Sequence, residues 1–265
     1  MSDETHRQLI DAHRGVFAGV RDAVAGIDEA AWSTPTGCPG WDVHDQVAHV
    51  IGIERAMLGD PPDQVQIPEL PHIRNDFGKA VEAAIQARRG MPPDQLLHEA
   101  DEVFARRIDM LEAMDPSALQ EPMEGLAGMK AKGSQMLRIR VFDMVCHEHD
   151  IRRALGRGGE TQGPHVDISV EQVARAWARA LPQVQDAGAL EVVVHDRPPV
   201  RIDLADGSLH REGAGPDPTA TIHLGVSDLL AVAGGRSDAP DVADLVVEGD
   251  LEWARATLGV AAITP

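Results

Sequence analysis

The chain has 265 residues, 43% of them hydrophobic, a formal net charge of −19 and two cysteines, the balance of a soluble globular protein long enough for two domains. That charge argues against binding a phosphate backbone, and two cysteines in a chain of this size exclude a disulfide framework. No apolar run approaches membrane-spanning length and the opening MSDETHRQLI lacks the apolar core of a signal peptide, so no membrane partner and a cytoplasmic location are expected.

Residues 2–27 read as a helix, because Leu9, Ile10, Val16, Phe17, Val20 and Val24 recur at three- and four-residue spacings. Two prolines and two glycines then break the pattern before Trp41. Asp42 is placed to cap the next helix, with Asp45 adding negative charge to its first turn. Val43, Val47, Val50, Met57 and Leu58 define its buried arc. His49 falls at the edge of that arc and Glu54 near its middle. An acid there needs an arginine, Arg14 or another, or else a cavity.

Residues 59–74 carry four prolines and read as a surface connection. Asn75 to about Arg89 is a helix, and Asp94 is placed to cap another that runs to Met114. Residues 115–134 read as irregular. The last long helix of this half is Arg138 to Leu155, RIRVFDMVCHEHDIRRAL, which packs Asp143, Cys146, His147, His149 and Asp150 into eight residues. At about 100° per residue, Asp143 and His147 lie one turn apart on one face, where a carboxylate and an imidazole can bite one divalent cation. The same spacing also suits a solvated polar stripe, and Cys146 suits a buried, inert thiol.

With no strand signal before residue 160, these helices predict a bundle. Bundles place metal sites between facing helices, so His49, Asp143 and His147 are candidates to converge. Residues 157–164 read as a linker. A helix from Ser169 to about Val184 follows, then strands at 190–195, 199–204 and 219–224. Ser227 is placed to cap a helix, 244–247 reads as a strand, and Asp250 is placed to cap a closing helix. The fold class expected is α+β, with residues 1–158 as the bundle and 165–265 as a smaller domain.

The runs CPGWDVHDQVAHVIGIERAMLG, PHIRNDFGKAVEAAIQARRG and RIRVFDMVCHEHDIRRALG resemble the mycothiol-dependent maleylpyruvate isomerase family, whose N-terminal domain is a DinB-like four-helix bundle. ATIHLGVSDLLAVAGGR, DLVVEGDLEWARATLG and a Thr-Pro ending are similar to the sterol-carrier-protein-2-like C-terminal domains of the same family. Together they cover most of the chain. The resemblance implies a metal held by His49, Asp143 and His147, with Asp150 in support through a ligand histidine or through an arginine such as Arg140. The isomerases carry Glu where this chain has the shorter Asp143, which either ligates directly or leaves a water between acid and metal. His44 and His149 lie off that face and read as non-ligands, and Cys38 has no role assigned.

The metal expected is zinc, with nickel, cobalt or iron compatible with the donors. The expected cosubstrate is a low-molecular-weight thiol, mycothiol, and the substrate a small electrophile. The reaction is then S-transfer or cis–trans isomerisation, by a monomer or small homo-oligomer. Arg201, Arg211 and Arg236 are candidates to bind a carboxylate. Two other functions fit the same residues: a non-catalytic binder of small molecules or lipid, and a metal-dependent hydrolase.

Overall fold

The apolar stripe of the first residues becomes helix α1 (Asp3–Ala23), whose Leu9, Val16 and Val20 are fully buried. The structure, a computed structural model, describes residues 3–125, 128–185 and 187–263. Ser2, residues 126 and 127 of the stretch read as irregular, and the Thr264–Pro265 ending lie outside them. The chain divides into two compact units, Met1–His165 and Val166–Pro265. The first is helical and the second contains a sheet, so the fold is α+β. No described helix is long and apolar enough to cross a membrane.

In the first unit α2 (Val43–Met57) follows the Asp42 cap, whose side chain accepts from the Asp45 amide as the sequence predicts. Helix α3 (Asp76–Gln86) is capped by Asn75 in the same way. Helix α4 (Pro93–Ala113) starts two residues earlier than expected: Pro92, not Asp94, is its N-cap, without a side-chain bond, because Pro93 already carries the φ a first helical residue needs. Helix α5 (Gly133–Ala154) completes the bundle.

Helix α2 packs against α3, α4 and α5, and α1 against α4 and α5. The rings of Phe17 on α1 and Phe104 on α4 stack with centroids 4.1 Å apart. Gly52 lets α2 and α3 approach closely, since a Cβ there would lie 2.3 Å from that of Ala84. The bundle also holds a small antiparallel hairpin, β1 (Pro122–Glu124) and β2 (Lys130–Lys132). It was not expected, because three-residue strands show no alternation to read.

The proline-rich connection is tied down by charge. Arg55 reaches Asp60 and Asp63, Arg106 reaches Asp60, and Arg88 joins Asp63 to Glu99. Its far end is held by His72, which lies 3.2 Å from Glu82.

Helix α6 (Pro164–Ala180), most of which belongs to the second unit, begins at Pro164, not Ser169, again with proline in the first turn. Five strands follow: β3 (Ala189–Val194), β4 (Val200–Asp203), β5 (Ser208–Arg211), β6 (Ala220–Leu224) and β7 (Val246–Gly249). Their order is β5-β4-β3-β6-β7, with β3 and β6 parallel and the other neighbours antiparallel. β5 forms an antiparallel hairpin with β4, and its half-exposed residues explain why the strand was not expected. β7 starts two positions late because the Asp241 side chain takes the Ala243 amide and winds residues 242–244 into a 3-10 turn. Helix α7 (Val226–Ala233) is capped by Gly225, not Ser227, and α8 (Leu251–Leu258) by Asp250 as expected. Trp177 is fully buried in this unit and donates to the Ala261 carbonyl at 2.7 Å.

Candidate metal centre

The loop before α2 folds back on itself. Thr36 N donates to Trp41 O at 3.0 Å and Val43 N to Thr34 O at 3.1 Å. This sets Thr36, Cys38 and Trp41 beside the first turns of α2. Because three helices pack on α2, nearly all of its residues are buried, and its polar residues Gln46, His49 and Glu54 lie inside the bundle. Each therefore needs a partner.

Glu54 finds two. Arg107 Nε donates to Oε2 at 2.8 Å and Arg140 Nε to Oε1 at 3.0 Å. Arg14 instead pairs at the surface with Asp11 and Glu112. Burial would raise the Glu54 pKa, but Arg140 and then Arg107 outweigh it and hold the carboxyl below its usual range. Arg140 also donates from Nη1 to Asp143 Oδ2 at 2.6 Å. Four charges thus alternate in sign from α4 through α2 to α5.

The three residues expected to converge do so. His49 Nε2 is 3.2 Å from Asp143 Oδ2, and His147 Nε2 is 3.7 Å from Asp143 Oδ1. One donor atom from each can be chosen so that all lie within 4.8 Å of one another. The imidazole centroids are 4.2 Å apart, and the Trp41 ring lies 5.1 Å from His49 and 5.8 Å from His147. The imidazoles are 5% and 6% exposed, whereas Asp143 is 28% exposed, so the centre opens on its carboxylate side.

Electrostatics divide the two histidines. Burial, followed by the charge of His147, pushes His49 down to about 4. Burial also acts to lower His147, but the charge of Asp143 and its bonds to Asp143 and Asp150 raise it well above the usual histidine range. Burial would raise Asp143, yet Arg140 and His147 hold it well below the usual carboxylate range. Without metal, these directions favour a centre with a charged Asp143 and His147 beside an uncharged His49. A cation entering it would displace the His147 proton.

On the far side of His147, Nδ1 donates to Gln46 Oε1 at 2.5 Å, with Asp150 Oδ2 3.5 Å away. Cys38 Sγ donates to the same Asp150 oxygen at 3.3 Å. Cys38, His147 and Asp150 form a second group with metal-ligand spacing, but Asp150 faces the nitrogen already bonded to Gln46. Asp150 accordingly supports a candidate ligand histidine, while Arg140 serves Glu54 and Asp143.

The other singled-out residues lie elsewhere. His44 bonds the Met91 carbonyl and His149 the Glu160 carbonyl. Cys146 is buried. Arg201 is bound to Glu191 and Arg211 to Glu171, while Arg236 donates to the Gly234 carbonyl. The second unit has a cavity of about 390 Å³ lined by residues that include Val170, Trp177, Val192, Val194 and Leu229, with Arg211 also lining it. Sequence reasoning missed Gln46, an ordinary amide on a helix, and the Cys38–Asp150 contact, which only the loop's fold creates.

Residues 13–152 match the family model of the mycothiol maleylpyruvate isomerase N-terminal domain. Among solved structures, the chain is similar to the mycothiol-dependent maleylpyruvate isomerase, at 15% identity over 92% of each chain with a TM-score of 0.59. A histidine-to-alanine mutant of that isomerase matches at 14% identity, 92% of each chain and a TM-score of 0.59. At these identities the likeness is one of fold. Sterol Carrier Protein 2 Like 2 from Aedes aegypti matches 36% of this chain and 94% of its own at 20% identity. Its TM-score of 0.28 carries no argument, so the sterol-carrier resemblance of the second unit rests on sequence. No curated protein matches the sequence.

Proposed function

Because the chain belongs to the mycothiol maleylpyruvate isomerase N-terminal domain family, we propose that it is a metal-dependent enzyme that uses mycothiol on a small electrophile, as an isomerase or S-transferase. In this reading residues 1–158 are the metal-binding bundle and 165–265 a sterol-carrier-protein-2-like domain. The observation that carries it is the convergence of His49, Asp143 and His147. Around a tetrahedral zinc with bonds of 2.0–2.1 Å, neighbouring donors stand about 3.3 Å apart. His49 stands 3.2 Å from Asp143 Oδ2 and His147 3.7 Å from its Oδ1, and one donor atom from each of the three lies within 4.8 Å of the others, a spread that a small closing movement would bring to that edge. Two imidazoles and one carboxylate leave a coordination position for a reactant, as reactive rather than closed zinc sites do.

A divalent ion at this centre would hold a thiol as thiolate near neutral pH, making it the nucleophile. The protein's own residues do the positioning. Arg140 takes Oδ2 of Asp143 and leaves Oδ1 facing His147. Trp41 covers both imidazoles, which limits approach to the carboxylate side. Thiol addition to an electrophilic double bond, rotation and elimination of the thiol would isomerise a cis alkene; addition alone would give a conjugate.

The test is metal analysis and thiol consumption by the purified protein and by His147→Ala. Unchanged metal content in the variant refutes the ligand set. Turnover of esters without added thiol would point instead to hydrolysis. A second reading, a non-catalytic carrier, draws on the cavity of the second unit; copurifying lipid with no bound metal would favour it.

A further inference from the structure

The hydrogen bonds behind His147 have directions that can be deduced in sequence. The Thr36 hydroxyl has one proton, and it goes to the Trp41 carbonyl at 3.0 Å, a group that can only accept. Thr36 Oγ1 must therefore accept its other two bonds, from Cys38 N at 3.3 Å and from Gln46 Nε2 at 2.7 Å. With its amide nitrogen committed to Thr36, Gln46 can turn only its oxygen towards His147. The Nδ1 that lies 2.5 Å from that oxygen must carry a proton. Turning the amide over would set Oε1 against Thr36 Oγ1 and cost the hydroxyl its bond to Trp41. Gln46 is fully buried, so water offers it no alternative partner.

We propose that Gln46 is a positioning residue: anchored by Thr36, it fixes His147 as the Nδ1–H tautomer and aims the Nε2 lone pair at His49 and Asp143. This rests on the ligand set proposed above. Ligand histidines are commonly held by a bond from their other ring nitrogen, and here the acceptor is a neutral amide whose orientation is dictated by a turn in the chain.

The test reads the tautomer directly. In ¹⁵N-histidine-labelled full-length protein without metal, at a pH that leaves His147 neutral, nitrogen shifts distinguish Nδ1–H from Nε2–H. Zinc affinity is measured separately by competition with a chromophoric chelator. Wild type is expected to show Nδ1–H. Gln46→Met, similar in volume but without the acceptor, should move towards Nε2–H and bind zinc roughly 10- to 100-fold more weakly. Gln46→Glu, which keeps an acceptor, should retain Nδ1–H and most of the affinity. An Nε2–H wild type overturns the proposal. So does a Gln46→Met variant that keeps Nδ1–H, which would assign the role to Asp150. Nδ1–H in a wild type that binds no zinc would sustain the relay and refute the metal reading.

Discussion

Arg140 donates to Oδ2 of Asp143 at 2.6 Å from one arm of its guanidinium, while its Nε donates to the fully buried Glu54. The candidate ligand is therefore pinned from the opposite side by a charge that itself needs compensation deep in the bundle. Stability and the proposed metal binding meet at this one arginine.

Replacing Glu54 by Gln tests that coupling. Arg107 and Arg140 would lose the carboxylate between them, and breaking a buried pair from one side costs roughly 3–5 kcal/mol. Urea unfolding should show that loss. Zinc affinity should fall too, because Arg140 is left to Asp143 alone. A change in stability below about 1 kcal/mol would mean the charges are hydrated.

His49→Ala and Asp143→Ala should each abolish stoichiometric metal binding, measured by elemental analysis after dialysis. A chelator should lower the melting temperature of wild type, since a ligand that binds only the folded state stabilises it. It should leave the variants unchanged. A chelator effect of equal size in all three would place the metal elsewhere.

His13, buried on α1, bonds the Leu9 carbonyl at 2.7 Å. Its pKa is lowered to about 4, chiefly by burial. Its folded pKa lies below the unfolded value of 6.5, so between those pH values the unfolded chain binds a proton that the folded chain does not. Its contribution is whole above pH 6.5 and is lost as pH falls towards 4, by about 3 kcal/mol in all. Urea midpoints at pH 7 and 4.5 should differ less in His13→Gln than in wild type. An equal difference would show that other groups set the acid sensitivity.

Phe104→Ala should separate the scaffold from the centre. Removing a buried phenyl stacked at 4.1 Å on Phe17 costs about 3–5 kcal/mol. Metal stoichiometry in the folded variant should be unaffected. Loss of metal without loss of stability would contradict this assignment.

Where the chain carried a strong period or a cap, the elements were legible. Asp42 and Asp250 sit at helix starts and cap them as expected, and Asn75, read as the first residue of a helix, turns out to be its cap. The i,i+4 pair Asp143–His147 was visible because a helix leaves residues so spaced on one face. What could not be read was anything made by contact between distant segments. Glu54 announced that it needed an arginine, but nothing in its neighbourhood pointed to Arg107 or Arg140. Gln46 drew no notice because α2 was read with one buried arc, whereas the helix is enclosed on nearly every side. Strands β1, β2 and β5 were too short, or too evenly half-buried, to show alternation.

The proline-rich connection between α2 and α3 holds to its neighbours through Asp60 and Asp63, whose carboxylates are about one-fifth exposed and bound to Arg55, Arg88 and Arg106. Such a clasp is sensitive to counterions in a way that an apolar seam is not. In dilute buffer a protease should pass over residues 59–74. In concentrated salt the clasp should slacken and the same segment become the first place the chain is cut, with the helices on either side still folded.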